Sequence, residues 1–357
     1  MIIITILIFL GILALLILTH EVGHFATAKA FGIKVEEFGL GFPPRLIGVR
    51  RGETLYSLNA IPLGGFTKMA GETNPKVRRS LAGKGIGTRL IVLSAGSIMN
   101  VLLPIVLFAI AFMVPHDVLI EPTLVATVSP ASPAASAGIE AGDTLLGVNG
   151  KPVNNFGEFQ RDIYLNLGKE ITILVKHSDS TTEEVKLIPR WNPPQGEGAI
   201  GIMRDVDYAQ ANRTTVTQSE PFWRAIPMGA SECGEALVLF KNEVSRWISG
   251  ATTPQVTGPV GIAQLTGEAA KAGISPLLEF TGFISINLAI INIFPLPALD
   301  GGRIVFVLLE WVRRGKRVSA KTEGLVHLIG FALLIALILV ITQQDIVRLI
   351  TGGSLVP

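Results

Sequence analysis

The chain has 357 residues and a mass of 38.1 kDa, with 30 Lys+Arg against 28 Asp+Glu and a mean hydropathy of +0.51. Only 16% of residues are charged and 49% are apolar, which excludes a disordered chain, a disulfide-stapled secreted domain and a nucleic-acid binder with a basic face. The single cysteine, Cys233, cannot form an internal disulfide, so cysteine usage says nothing of redox compartment. The composition is that of a membrane protein with a soluble insert.

In chain order, residues 2–19 form an uncharged run of Ile and Leu, long enough to span with the apolar residues that continue it. It has no basic leading region and no small-x-small cleavage site, so it is expected to be a retained transmembrane helix rather than a signal peptide. A second uncharged run covers 90–114, interrupted by Ser94, Ser97, Asn100 and Pro104. Residues 225–247 mix apolar positions with Glu232, Glu235, Lys241 and Glu243, the pattern of an amphipathic helix lying on or against the bilayer. Third and fourth apolar runs are expected at 284–299, ending in Phe294-Pro295-Leu296-Pro297, and at 325–342.

Basic residues set the expected orientation. The 29–89 loop carries 11 Lys/Arg and 4 Asp/Glu, the 303–323 loop 6 and 2, and the long 116–271 segment 12 and 18. By the positive-inside rule the two basic loops are expected to face the cytoplasm, with both termini and the acidic insert outside. Four spans satisfy this alternation, and the site described below would lie near the cytoplasmic side.

Between spans two and three, residues 124–189 read as a small β-rich domain. Residues 124–128 and 171–175 are β-branched strands, 132–139 a short helical turn, and a Gly142-Asp143 turn leads into a strand closing at the Asn149-Gly150 hairpin. The run from Ser129 to Val153 resembles the PDZ domain of bacterial membrane and periplasmic proteases. PDZ domains bind extended peptides by strand addition, so a peptide or a substrate ectodomain is the expected partner here.

His20-Glu21-Val22-Gly23-His24 places two imidazoles at i and i+4, on one helical face, where they can chelate one Zn²⁺. Glu21 adjoins the first ligand and can take a proton from a water activated there. Two His and a Glu continuing a membrane helix are costly unless they face a protein interior, a partner or a metal. Catalytic zinc usually has three protein ligands. The available third donors are Asp300, Glu279 and His327, the last with Glu323 four residues earlier and suited to a paired or interfacial role.

Together with Asn292-x-x-Pro295-x-Pro297-x-Leu299-Asp300-Gly301, this motif resembles the site-2 protease family of intramembrane zinc metalloproteases. Within it, the chain is most similar to the bacterial regulator-of-sigma-E-protease type, which frees an alternative sigma factor from a membrane-bound anti-sigma factor. Gly39-Leu40-Gly41-Phe42 and Ile61-Pro62-Leu63-Gly64-Gly65-Phe66-Thr67-Lys68-Met69 resemble the family's cytoplasmic loop and membrane-dipping hairpin, and Gly258-Pro259-Val260-Gly261-Ile262-Ala263 the segment before its third span. Enterobacterial members carry two tandem PDZ domains; this chain has room for one.

The resemblance implies an α-helical protein of the bacterial inner membrane with about four transmembrane helices and an inserted extracytoplasmic PDZ domain. One Zn²⁺ per chain is expected on His20, His24 and Asp300, with Glu21 as general base and Asn292 supporting substrate or the developing oxyanion. Gly64, Gly65 and Phe66 mark the expected substrate edge, flanked by 57–61 and 66–69. The substrate would be a single-span membrane protein, such as an anti-sigma factor after a prior extracytoplasmic cut, with no nucleic acid involved. The expected division is 1–114 for the first two spans and hairpin, 122–190 for the PDZ domain, 220–275 for the amphipathic helix and linker, and 276–357 for the last two spans. The competing readings are an inactive PDZ-bearing scaffold, which the complete ligand set with Glu21 disfavours, and a transporter with a structural metal, which would show paired broken helices in two related halves.

Overall fold

The computed structural model describes residues 2–254 and 256–351. Helix α1 (Ile2–Ala30) runs through the first apolar stretch and carries the His-Glu-x-x-His motif on its last turns. It stops where Gly32 takes φ +68 and the Ile33 N–H bonds back to the Ala28 carbonyl at 2.8 Å, a helix end that favours glycine. Strands β1 (Val35–Arg51) and β2 (Thr54–Met69) form a two-stranded sheet, followed by helix α2 (Ile86–Met113).

Then come β3 (His116–Ile120), β4 (Thr123–Val128), α3 (Pro133–Ser136), β5 (Thr144–Val148), β6 (Lys151–Pro152), α4 (Phe156–Leu165), β7 (Ile171–Lys176), β8 (Thr182–Leu187), β9 (Ile202–Arg204), α5 (Val206–Ala211) and β10 (Thr214–Gln218). Helices α6 (Phe222–Ile248), α7 (Pro259–Ala272), α8 (Ile274–Ile293), α9 (Asp300–Val312) and α10 (Ala320–Ile350) complete the chain. The described residues fall into two compact units, one of 2–111, 225–233 and 256–351, the other of 112–224 and 234–254.

In the first unit, α1, α2, α8 and α10 are each long and apolar enough to cross a membrane. The third span differs from its expected position at 284–299. Helix α8 starts ten residues earlier because Glu279 and Thr281, which interrupt the apolar pattern ahead of 284, are satisfied inside the protein, as is Ser285 within the expected run. Thr281 Oγ1 donates to the Leu277 carbonyl at 2.7 Å and Ser285 Oγ to the Asn100 carbonyl at 2.8 Å. It ends at Ile293 because Pro295 and Pro297 cannot continue a helix. A buried apolar cluster of Ala28, Ile33, Val35, Met69, Leu81, Val92, Leu93 and Val307 ties α1, the sheet, α2 and α9 together.

The sheet has an informative register. Leu40 lies opposite both Leu58 and Gly65, and Phe38 opposite both Tyr56 and Thr67. The 35–40 stretch therefore runs between two arms of β2, leaving 65–69 as the outer run. At the other end, Glu53 accepts from Arg79 Nη1 at 2.6 Å and from Lys29 Nζ at 2.7 Å. These two cations, Arg79 foremost, hold the Glu53 carboxyl down at about 2, so its bonds persist through the physiological range.

The second unit holds the β-rich fold, with strands in the order β8-β7-β5-β4-β9 and β6 paired to β5. The Asn149-Gly150 turn has φ of +50° and +76°, the geometry of a two-residue hairpin with both central residues left-handed. The core is built from alternate positions, such as Ile171, Ile173 and Val175 of β7, packed on Phe159 and Ile163 of α4. The sheet does not stop at 190: β9 pairs with β4, with Val125 opposite Arg204. Strands β3 and β10 form a separate antiparallel pair that brackets the fold, with Ile120 opposite Thr214.

Candidate metal centre

Helical spacing puts His20 and His24 one turn apart on α1, and both are buried. Their Nε2 atoms lie 3.2 Å from each other, and each lies 3.0 Å from Asp300 Oδ2 at the start of α9. Asp300 can reach them because the chain turns tightly after α8. Ala298 takes φ +77, and the backbone carbonyls of Ile293, Phe294 and Leu296 press on Gly301 and Gly302, leaving no room for a side chain at either.

Each ring is oriented from behind. His24 Nδ1 donates to the Val92 carbonyl of α2 at 2.8 Å, so in the neutral ring Nε2 is a bare lone pair. The Asn292 amide lies 3.5 Å from His20 Nδ1. Helix α2 comes close at Gly96, where a Cβ would stand 2.6 Å from His20 Nε2 and Cε1.

The donor chemistry fits a divalent cation. Lone pairs from two imidazoles and a carboxylate converge on one point, an arrangement that repels itself unless positive charge lies between them. Distances of 3.0–3.2 Å between donors are close to the roughly 3.3 Å edge of a tetrahedron with bonds of about 2 Å. Two nitrogens, one oxygen and an open fourth side suit zinc. No other group of His, Cys, Asp and Glu among the described residues has this property.

The other two expected third donors are elsewhere. Glu279 accepts from Ser275 Oγ at 3.2 Å on its own helix. His327 Nδ1 accepts the Ala298 N–H at 2.9 Å, so this histidine braces the turn before Asp300.

The donors open onto a cavity of about 590 Å³. Glu21 and Asn292 line it, and so do Gly64, Gly65 and Phe66 of the outer β2 run. One residue of the expected 66–69 edge has a further role that the sequence does not show. Thr67 Oγ1 donates to Glu21 Oε2 at 2.7 Å and also lies 3.2 Å from the Glu21 carbonyl. The strand that walls the cavity thus holds the Glu21 carboxylate. A threonine two residues after a Gly-Gly pair gives no such signal by itself.

The class of protein is then a metallopeptidase of the membrane, since His-Glu-x-x-His lies on a membrane-length helix and a distant carboxylate joins it. Residues 8–337 match peptidase family M50, and the chain belongs to that family. It is 37% identical to a Clostridium acetobutylicum protein named as a zinc metalloprotease, over 93% of this chain and 94% of that one. It is 28% identical to zinc metalloprotease RasP of Geobacillus kaustophilus over 95% and 96% of the two chains. It is 27% identical to regulator of sigma-W protease RasP of Bacillus subtilis over 97% and 99%. Among solved structures, the PDZ domain of an SdrC-like protein from Listeria monocytogenes is 26% identical, covering 24% of this chain and 90% of that one at a TM-score of 0.22.

Proposed function

We propose that this metallopeptidase is an intramembrane endopeptidase that holds one Zn²⁺ on His20, His24 and Asp300 and cuts transmembrane segments of single-span proteins. The carrying observation is the convergence of those three donors on a cavity walled by an outer β-strand run. When bound, zinc supplies Lewis acidity, polarising the scissile carbonyl and making a water more acidic.

The remaining steps belong to the protein. Glu21, steadied by Thr67, takes the water's proton and passes it to the leaving amine. Asn292 orients the His20 ring or supports the developing oxyanion. A peptide bond in a substrate helix is already hydrogen-bonded, so the substrate must unwind locally, and the free edge of 65–69 offers replacement backbone partners. Gly64, Gly65 and Phe66 are the substrate contacts on that edge.

The β-rich insert is read as a PDZ domain outside the inner membrane, selecting substrates by their ectodomains. The Bacillus subtilis relative is named for regulating sigma-W, which favours an anti-sigma factor, already trimmed outside the membrane, as the substrate class.

Two variants test this in detergent against a panel of single-span substrates. Glu21→Gln should keep zinc and lose about a hundred- to ten-thousand-fold in cleavage, the usual worth of a general base. Asp300→Asn should fold but lose most of its zinc as well as activity, because a neutral amide is a poor zinc donor. Wild-type cleavage by either variant would remove that residue from its role. Substrate binding without cleavage by the wild type would instead point to a scaffold.

A further inference from the structure

The β2 edge and helix α9 are held together by a polar strut outside the donor cluster. Glu72, just past β2, receives the Met69 N–H on Oε1 at 3.1 Å, and its Oε2 pairs with Arg303 Nη1 at 2.9 Å. Arg303 is one helical turn beyond Asp300 on α9. Glu72, Arg303 and Leu93 line the metal-site cavity and also a second, smaller cavity of about 180 Å³ lined by Arg89, Glu323 and His327. The Met69 side chain is buried in the same cluster as Val307 of α9. One carboxylate therefore grips the end of the strand with one oxygen and the helix that carries Asp300 with the other.

We propose that the Glu72–Arg303 pair positions the 64–69 strand relative to α9, setting how a bound substrate strand meets the donor cluster. The proposal rests on the peptidase reading for its kinetic effect and on geometry alone for its structural effect. Neither residue is a catalytic residue. Their charges act through the strand, so losing the pair should weaken substrate binding while sparing the chemical step. Arg303 is 45% exposed on its side chain, so the effect is modest.

The test compares Arg303→Met, Glu72→Ala, their double variant and Arg303→Lys, in the full chain with zinc content measured throughout. Each single variant should raise KM about two- to fivefold, the worth of a partly exposed ion pair, with kcat and zinc unchanged. The double variant should be no worse than the worse single one, and Arg303→Lys should recover most of the loss. Amide hydrogen exchange over 64–70 should quicken in Arg303→Met even though the substitution is on another element. Unchanged exchange, additive effects, or a fall in kcat with lost zinc would overturn the proposal. If the wild type cuts nothing while exchange over 64–70 still responds to Arg303→Met, the peptidase reading fails and the strut stands.

Discussion

At the scale of single residues, the hydroxyl of Thr67 is the most consequential contact that no local pattern announces. A carboxylate on a membrane helix needs a donor to fix its rotamer, and Thr67 provides one at 2.7 Å. Thr67→Val keeps the shape and β-propensity but removes the donor. Hydrogen bonds to charged groups are worth about 1.5–3 kcal/mol, so kcat should fall roughly ten- to a hundredfold with zinc still bound. Thr67→Ser should retain most of the activity, and equal damage from both variants would show that packing, not the hydroxyl, matters.

The contrast with His20, Glu21 and His24 shows what a sequence can and cannot reveal. Those three are legible because their relation is local and fixed by the helical repeat. Asp300 is 276 residues from His24, and residue chemistry alone left it level with Glu279, with His327 read as a paired or interfacial histidine; only the resemblance singled it out. Thr67 and the Val92 carbonyl are invisible for the same reason, since each contact joins segments far apart in the chain.

At the scale of elements, the close approach of α1 and α2 decides whether the imidazoles can converge. Gly23 faces the Ala95 carbonyl and Met99, and Gly96 faces both rings, the small-residue crossing typical of membrane helices. Gly96→Ala would place a methyl 2.6 Å from His20 Nε2. Overpacking of this kind costs about 1–3 kcal/mol, and a displaced ligand shell loses about ten- to a hundredfold in metal affinity. Zinc titration of the purified variant checks this; normal affinity would mean that the helices separate freely without disturbing the site.

Element boundaries follow the same logic. Apolar runs located α1, α2 and α10 because no Asp, Glu, Lys or Arg interrupts them. The third run was placed late because Glu279 and Thr281 look polar in the sequence but are paired in the structure. Strand β9 has only Ile202, Met203 and Arg204, too short for any alternation to appear, and it belongs to the sheet only through β4. The β3–β10 pair was missed because β10 is exposed along its whole length, so it has no buried face to betray it.

For the whole molecule, that pair shows where the insert can be removed. Ile120 and Thr214 are directly opposite one another, so residues 121–213 can be replaced by an Asn-Gly turn, a natural two-residue hairpin closure. Cutting at 190 would instead strip β4 from β9. The excised protein should keep its zinc and cleave substrates with short ectodomains. If the β-rich unit excludes bulky partners, long ectodomains should be cut more readily than by the intact chain. A folded, zinc-loaded excision variant that cuts nothing would show that the unit is required for the reaction itself.

The separation of the donors along the chain has a consequence for biogenesis. His20 and His24 enter the membrane early in synthesis, but the carboxylate that converges on them is residue 300. A nascent or truncated chain that stops before α9 has the motif but not the full donor set, and two imidazoles alone hold zinc far more weakly than three donors. On the proposed ligand set, proteolytic competence is withheld until translation has passed α8 and the turn after it has formed. If that reading holds, a half-made copy in the bilayer has no means of attacking its neighbours.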